Sequence, residues 1–301
     1  MLKAVNPRLV YGHVSGYGLE GPDAERRAFD ITGWWARSGL MEFIREPGQT
    51  PQGMAPGMGD HCTATAFFGA IMTGLYRREK TGEGSFVSTS LIANGVWANG
   101  MALQGVIAGN DIGTYRQAKG WPNPLTECHQ CRDGRYLVLA IVNTGREYPG
   151  LARALDREAW LTDERFASVP AILQHRTEFR AAMRDAFSQL DYDEASARLE
   201  AAGVTHGPVQ PMADVLTDEQ MRAAGVVIET GDEGEGYDLT IASPINVREA
   251  PRRAPSRAPD VGANTLEILR ELDFDADYIA ALKQADVIVD ASQINSQQVN
   301  S

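Results

Sequence analysis

Residues 57–91 read GMGDHCTATAFFGAIMTGLYRREKTGEGSFVSTSL, and the periodicity of this stretch decides the fold class. Ala66, Phe67, Ala70, Ile71 and Leu75 recur at the three- and four-residue spacing that puts apolar side chains on one helical face, so a helix is expected from His61 to Lys80. Asp60 stands where an N-cap belongs, and Gly82 follows where a left-handed C-terminal residue is favoured. Phe86 to Ser90 then reads as a strand and Leu91 to Ala108 as a largely apolar helix. Upstream, Arg8 to Ser15 (RLVYGHVS) is a β-branched and aromatic run entering the glycine loop Gly16-Tyr17-Gly18. Strand, helix, strand, helix is the alternation of an α/β domain.

Working outward, residues 109–126 are rich in Gly, Pro and Asn without a period, which places a linker there. Tyr136 to Val142 is a continuous apolar strand, preceded by a turn at Asp133-Gly134 and followed by helical patterns over residues 146–155, 175–189 and 193–202. Residues 203–210 read as a returning strand, 212–224 as a helix, and 226–229 with 237–241 as a hairpin across the acidic turn GDEGEG. Pro251, Pro255 and Pro259, interleaved with Arg248, Arg252, Arg253 and Arg257, predict an extended surface stretch. Short helices are expected over 262–272 and 275–284. The resulting division is a first α/β segment at 1–110, a small α+β domain at 111–210, a returning segment at 211–290 and a disordered tail at 291–301, poor in apolar residues.

Lys and Arg number 28 against 40 Asp and Glu, a net charge of −12 that argues against a nucleic-acid backbone or an anionic membrane as partner. The apolar runs are too short to span a bilayer, and the first residues lack the order of a secretory leader, so the expected compartment is the cytoplasm. Cys128 and Cys131 bracket His129, but no second pair completes a zinc site, and the five histidines show no metal-ligand spacing; no metal is expected. There is no G-x-S-x-G elbow, no P-loop and no complete G-x-G-x-x-G.

Asp60 is one candidate for chemistry, at the mouth of a helix and behind the Gly- and Pro-rich loop EPGQTPQGMAPGMG. An aspartate here is a favoured cap. The same position suits a nucleophile, because the positive helix end keeps a carboxylate ionised and free backbone amides can stabilise a neighbouring oxyanion. Arg27 is a candidate for a phosphate or carboxylate. Trp34, Trp35 and Phe43 suit core packing better than a pocket.

Several segments together resemble class III coenzyme A transferases, the CaiB/BaiF family that includes formyl-CoA and carnitine-CoA transferases. NPRLVYGHVSGYGLEGP is similar to the family's strand and glycine loop, and the quoted Asp60 stretch to its central aspartate, helix and T-G-x-G turn. DGRYLVLAIVN, EAAGVTHGPV, VLTDEQMRAAGVV, IASPINV and APDVGANTLEILREL keep the family's order downstream, so the likeness runs from about residue 4 to 289. The resemblance implies a Rossmann-like large domain with a smaller α+β domain inserted and interlocked homodimers. It implies that Asp60 is the catalytic carboxylate, passing CoA from an acyl-CoA to an organic acid through an aspartyl anhydride and an aspartyl-CoA thioester. It places Arg27, Phe29 and Asp30 among the CoA-binding residues.

The family's first strands and helices are expected ahead of Leu2, which makes a fragment or a split enzyme needing a separate N-terminal segment an open alternative. The formyl-CoA transferases' glycine-run flap has only the looser AGNDIGTYRQAKG as a counterpart. The family's α-methylacyl-CoA racemases pair the aspartate with a histidine in a G-H-D-I-N-like stretch. Here that stretch is Ala28-Phe29-Asp30-Ile31-Thr32, and Phe29 cannot relay a proton, so racemase is the weaker reading.

Overall fold

Two parallel strands carry the first part of the chain: β1 (Val10–Ser15) pairs with β2 (Ser85–Ser90) in the register Val10↔Ser85 through Ser15↔Ser90. The computed structural model describes residues 2–46, 48–53, 55–111, 123–231, 236, 238–250 and 252–288, and within these the chain divides into unit 1, ending at Gly207, and unit 2, beginning at Pro208. Ahead of β1 lies the short helix α1 (Leu2–Val5); between the strands come a wide π-turn at Ile31–Ala36, α2 (Leu40–Phe43) and the 24-residue α3 (Met58–Thr81). Parallel strands need such a crossover, since a tight turn cannot reverse the chain twice.

α3 lies on the sheet because its apolar stripe meets glycines at close approach. A side chain at Gly12 would collide with Phe67, and one at Gly74 with Val10. Gly82 ends the helix at φ 75°, its N–H donating to the Arg78 carbonyl, as the sequence predicts. The predicted apolar helix after β2 is two helices, α4 (Leu91–Ala98) and α5 (Gly100–Ile107), broken at Asn99, whose buried side chain donates to the Ser38 carbonyl. Trp34, Trp35 and Leu91 form a small buried cluster there, the two indoles edge-to-face at 4.7 Å.

The larger core belongs to the second half of unit 1. β3 (Cys128–Gln130) and β4 (Tyr136–Leu139) make the antiparallel hairpin expected around Asp133-Gly134, with β5 (His206–Val209) next in the sheet order. α6 (Thr144–Ala154), α7 (Val169–Gln174), α8 (Arg176–Phe187) and α9 (Tyr192–Ala201) bury Leu151, Ile172, Phe179, Met183 and Leu199 completely. Of these, α7 has no counterpart in the sequence reading; Ser168 caps it by accepting from the Ala171 N–H.

In unit 2, α10 (Met212–Val215) and α11 (Glu219–Ala223) stand where one helix is expected. Asp218 interrupts the run by capping α11. β6 (Val227–Glu229) and β7 (Leu239–Ile241) form the predicted hairpin. Arg252 ties the proline-arginine stretch down by donating to the carbonyls of Gly225 and Ser243. α12 (Thr265–Glu271) and α13 (Ala276–Gln284) follow. The tail at 291–301 and most of the acidic turn lie outside the described residues. No helix among the described residues is long and apolar enough to cross a membrane.

Candidate active site

Asp60 sits within the first turn of α3 rather than at its cap. Gly57, at φ 75°, opens the helix, and the first helical bond runs from the His61 N–H to the Gly57 carbonyl at 2.9 Å. The capping role that the sequence suggests for Asp60 falls to Asp30, whose carboxylate accepts from the Gly59 N–H at 3.1 Å. The physical reason is room: a left-handed glycine starts the helix three residues early and offers no side chain to cap it, so a carboxylate from a distant loop satisfies the exposed amide. Asp60 is released by this arrangement. It is exposed, and its carboxylate has no hydrogen bond or ion pair among the described residues. Its backbone N–H, one of the orphan donors of a helix start, has no acceptor there either.

A cavity of about 360 Å³ opens beside it, lined by Val14, Ser15, Gly16, Ala28, Asp60, Thr63, Ala64, Phe67 and Leu91. It lies at the carboxyl ends of β1 and β2, the place where parallel α/β sheets bind ligands. The wall is apolar apart from Asp60, Thr63 and Ser15, and the Ser15 Oγ is already engaged as acceptor for the Gly18 N–H at 3.1 Å.

The loop from residue 23 to 30 brings in the other predicted residues. Asp23 anchors it, accepting from Arg37 at 2.8 Å with Arg26 at 3.6 Å. The Arg37 hydrogen bond, despite some desolvation, holds the Asp23 carboxyl below its usual range. Arg27 is exposed and has no ion pair or hydrogen bond among the described residues, in contrast to Arg26 and Arg37. Phe29 is 74% exposed. Asp30 is half-buried and its observed partner is the Gly59 amide. Asp30 thus touches the Asp60 turn and Ala28 stands in the cavity wall, while Arg27 and Phe29 flank Ala28 along the loop. Sequence reading missed Thr63; its signal was only a hydroxyl three residues after Asp60, hence on the same helical face. Among the described residues no cluster of His, Cys, Asp and Glu is arranged to hold a metal.

The profile of CoA-transferase family III matches residues 1–265. The chain belongs to CoA-transferase family III. Among curated relatives it is 27% identical over 288 residues to the (R)-2-hydroxy-4-methylpentanoate CoA-transferase of Clostridioides difficile, covering 95% of this chain and 71% of that protein. It is 28% identical over 292 residues to the cinnamoyl-CoA:phenyllactate CoA-transferase of Clostridium sporogenes, covering 96% and 71%. The crystal structure of a CaiB/BaiF family protein from Brucella suis superposes with a TM-score of 0.76 at 28% identity, over 90% of this chain and 70% of that one. The family III chain thus spans about seven-tenths of the length of these relatives.

Proposed function

We propose that this protein transfers coenzyme A between an acyl-CoA donor and a carboxylic acid acceptor, with Asp60 as the covalent acceptor. The observation that carries the reading is the release of Asp60 from capping: an ionisable carboxylate, free of partners among the described residues, beside an apolar cavity at the strand ends. Its oxygen attacks the thioester carbonyl, giving an acyl-aspartyl anhydride and CoA thiolate. The thiolate then attacks the aspartyl carbonyl and expels the donor acid, leaving an aspartyl-CoA thioester. The acceptor carboxylate attacks that thioester, releasing thiolate and forming a second anhydride. Attack of the thiolate on the acceptor's carbonyl completes acceptor-CoA and frees Asp60. The unengaged Asp60 N–H supplies a donor for the oxyanion that forms in each step.

In this reading Arg27 and Phe29, exposed on the loop beside the cavity, contact the CoA, and Asp30 supports the same ligand region through the Asp60 turn. β1, α3 and β2 belong to a Rossmann-like domain split between residues 1–110 and 211–290, with 111–210 as the inserted domain. The stretch around Arg252 straps an interlocked homodimer in the cytoplasm. The racemase reading gains nothing from Phe29, which carries no proton-relaying group.

Intact-protein mass spectrometry after incubation with a panel of acyl-CoA thioesters and a hydroxylamine trap tests the proposal. A modification localised to Asp60 and lost in Asp60→Ala is expected. Exchange of α-protons in deuterium oxide without any adduct would favour the isomerase instead, and an unmodified Asp60 without exchange would leave the chain without this activity on its own.

A further inference from the structure

Asp60, Ala64 and Phe67 stand at i, i+4 and i+7 on α3, one face of the helix over two turns, and all three line the cavity. The rise of the helix sets the Asp60 and Phe67 backbones about 10 Å apart. The cavity is therefore a trough along α3, with a carboxylate at one end and an aromatic ring at the other. Val14, Ala28 and Leu91 add hydrocarbon to its wall.

The Phe67 ring owes its seat to an absent side chain. A Cβ added at Gly12, the β1 residue facing it, would lie 2.6 Å from the Phe67 Cζ and 3.0 Å from its Cε2, with Ile71 at 3.7 Å. Gly12 thus lets the ring rest against the strand, and Ile71, one turn further along α3, packs at the same point. The cavity lies on the open side of the half-buried ring.

A thioester that brings its carbonyl to Asp60 has two arms to place. The CoA arm carries phosphates and amides, which lose hydration against hydrocarbon. The acyl arm is the one that the trough accepts, and its far end meets Phe67.

Resting on the reading of Asp60 as the covalent acceptor, we propose that Phe67, seated on Gly12, is a specificity-determining residue: its ring ends the acyl site and sets the longest apolar acyl chain that the site accommodates.

Butanoyl-, hexanoyl-, octanoyl-, decanoyl- and dodecanoyl-CoA serve as probes, with calorimetric binding to wild type, Phe67→Ala, Phe67→Leu and Gly12→Ala as the readout. Wild-type affinity should rise with chain length, by up to about fourfold for each buried methylene, and stop rising where the chain end reaches the ring. Phe67→Ala opens the end of the trough and should move that limit to a longer chain, binding the first thioester beyond the wild-type limit at least about tenfold more tightly. Phe67→Leu, a milder loss of volume, should move it the same way by less. Gly12→Ala should act in the opposite direction, because the new methyl group drives the ring toward the cavity and shortens the trough. A wild-type series without a limit, a limit that both Phe67 variants leave in place, a Gly12→Ala shift toward longer chains, or binding of no thioester would each overturn the assignment. Trapping Asp60 with hydroxylamine in the same samples separates the two proposals. Labelled Asp60 with a limit that ignores Phe67 removes only the Phe67 assignment, whereas a limit that moves as stated without labelling removes only the covalent mechanism.

Discussion

The carboxylate of Asp30 accepts a 3.1 Å hydrogen bond from the backbone N–H of Gly59, so a side chain 29 residues upstream fixes the position immediately before Asp60. Gly59 has no space for a side chain: an added Cβ would lie 2.3 Å from the Asp30 oxygen and 2.4 Å from the Trp34 ring. Gly59→Ala must therefore push Asp30 or Trp34 aside, at a cost of about 1–3 kcal/mol for overpacking, and shift Asp60 with it. Asp30→Ala removes a cap worth about 1 kcal/mol, while Asp30→Asn keeps an oxygen acceptor. Denaturant midpoints and the rate of Asp60 labelling should rank wild type, then Asn, then both alanine variants. If Asp30→Ala equals wild type in both readouts, the cap does not position Asp60.

Arg27 differs from its neighbours in having no partner to lose among the described residues. Arg27→Glu should leave the melting temperature unchanged and weaken CoA-thioester binding about tenfold, more at low than at high salt, because a lost phosphate contact of this exposed kind is screened. Arg37→Ala is the contrasting variant, since it removes the hydrogen bond that anchors Asp23. An affinity for CoA unaltered by Arg27→Glu would place the phosphates elsewhere.

Phe179 is fully buried, with the rings of Trp160 and Phe166 each 5.3 Å away and Tyr148 at 6.1 Å. Phe179→Ala should cost about 3–5 kcal/mol, since a fully buried ring is lost and three ring contacts go with it. Urea titration followed by near-ultraviolet circular dichroism reads both effects. A loss below about 1 kcal/mol would mean that the cluster collapses around the gap.

What was legible in the sequence was what period and punctuation encode. The apolar stripe at 66, 67, 70, 71 and 75 marked α3, Gly82 marked its end, and Asp133-Gly134 marked the β3/β4 hairpin. The start of α3 was not legible, because Gly57 opens a helix only when something distant satisfies the exposed amides, and Asp30 is too far along the chain for any local pattern to reveal. Asn99 likewise breaks the helix after Leu91 through a contact with Ser38, not through a residue that dislikes helices. Asp60 was singled out for its place at the helix mouth and assigned the wrong local role as cap. Thr63 went unseen because a threonine inside a helix looks alike whether or not its hydroxyl finds the carbonyl four residues back.

His129 supplies an acid-sensitive element unconnected with Asp60. It is 7% exposed, stacks on Phe187 with ring centres 4.8 Å apart, and its Nε2 has no partner among the described residues. Burial alone pushes its pKa down to about 4. In the unfolded chain the ring takes up a proton near pH 6.5, whereas in the folded chain it resists until about 4, so unfolding binds protons between those values. Stability is then complete above about pH 6.5 and falls as the pH drops toward 4, by up to about 3 kcal/mol in total. Asp163, drawn down to about 2 chiefly by the Arg165 side chain, adds its own loss only at still lower pH. Replacing the ring with hydrocarbon, as in His129→Leu, removes the proton acceptor, so the difference in unfolding free energy between pH 7 and pH 4.5 should shrink by about 2 kcal/mol. Urea titrations of both proteins at the two pH values measure that difference. An unchanged pH dependence in His129→Leu would mean that the folded protein already protonates this ring at the ordinary pH, by opening the β3/β4 hairpin to water.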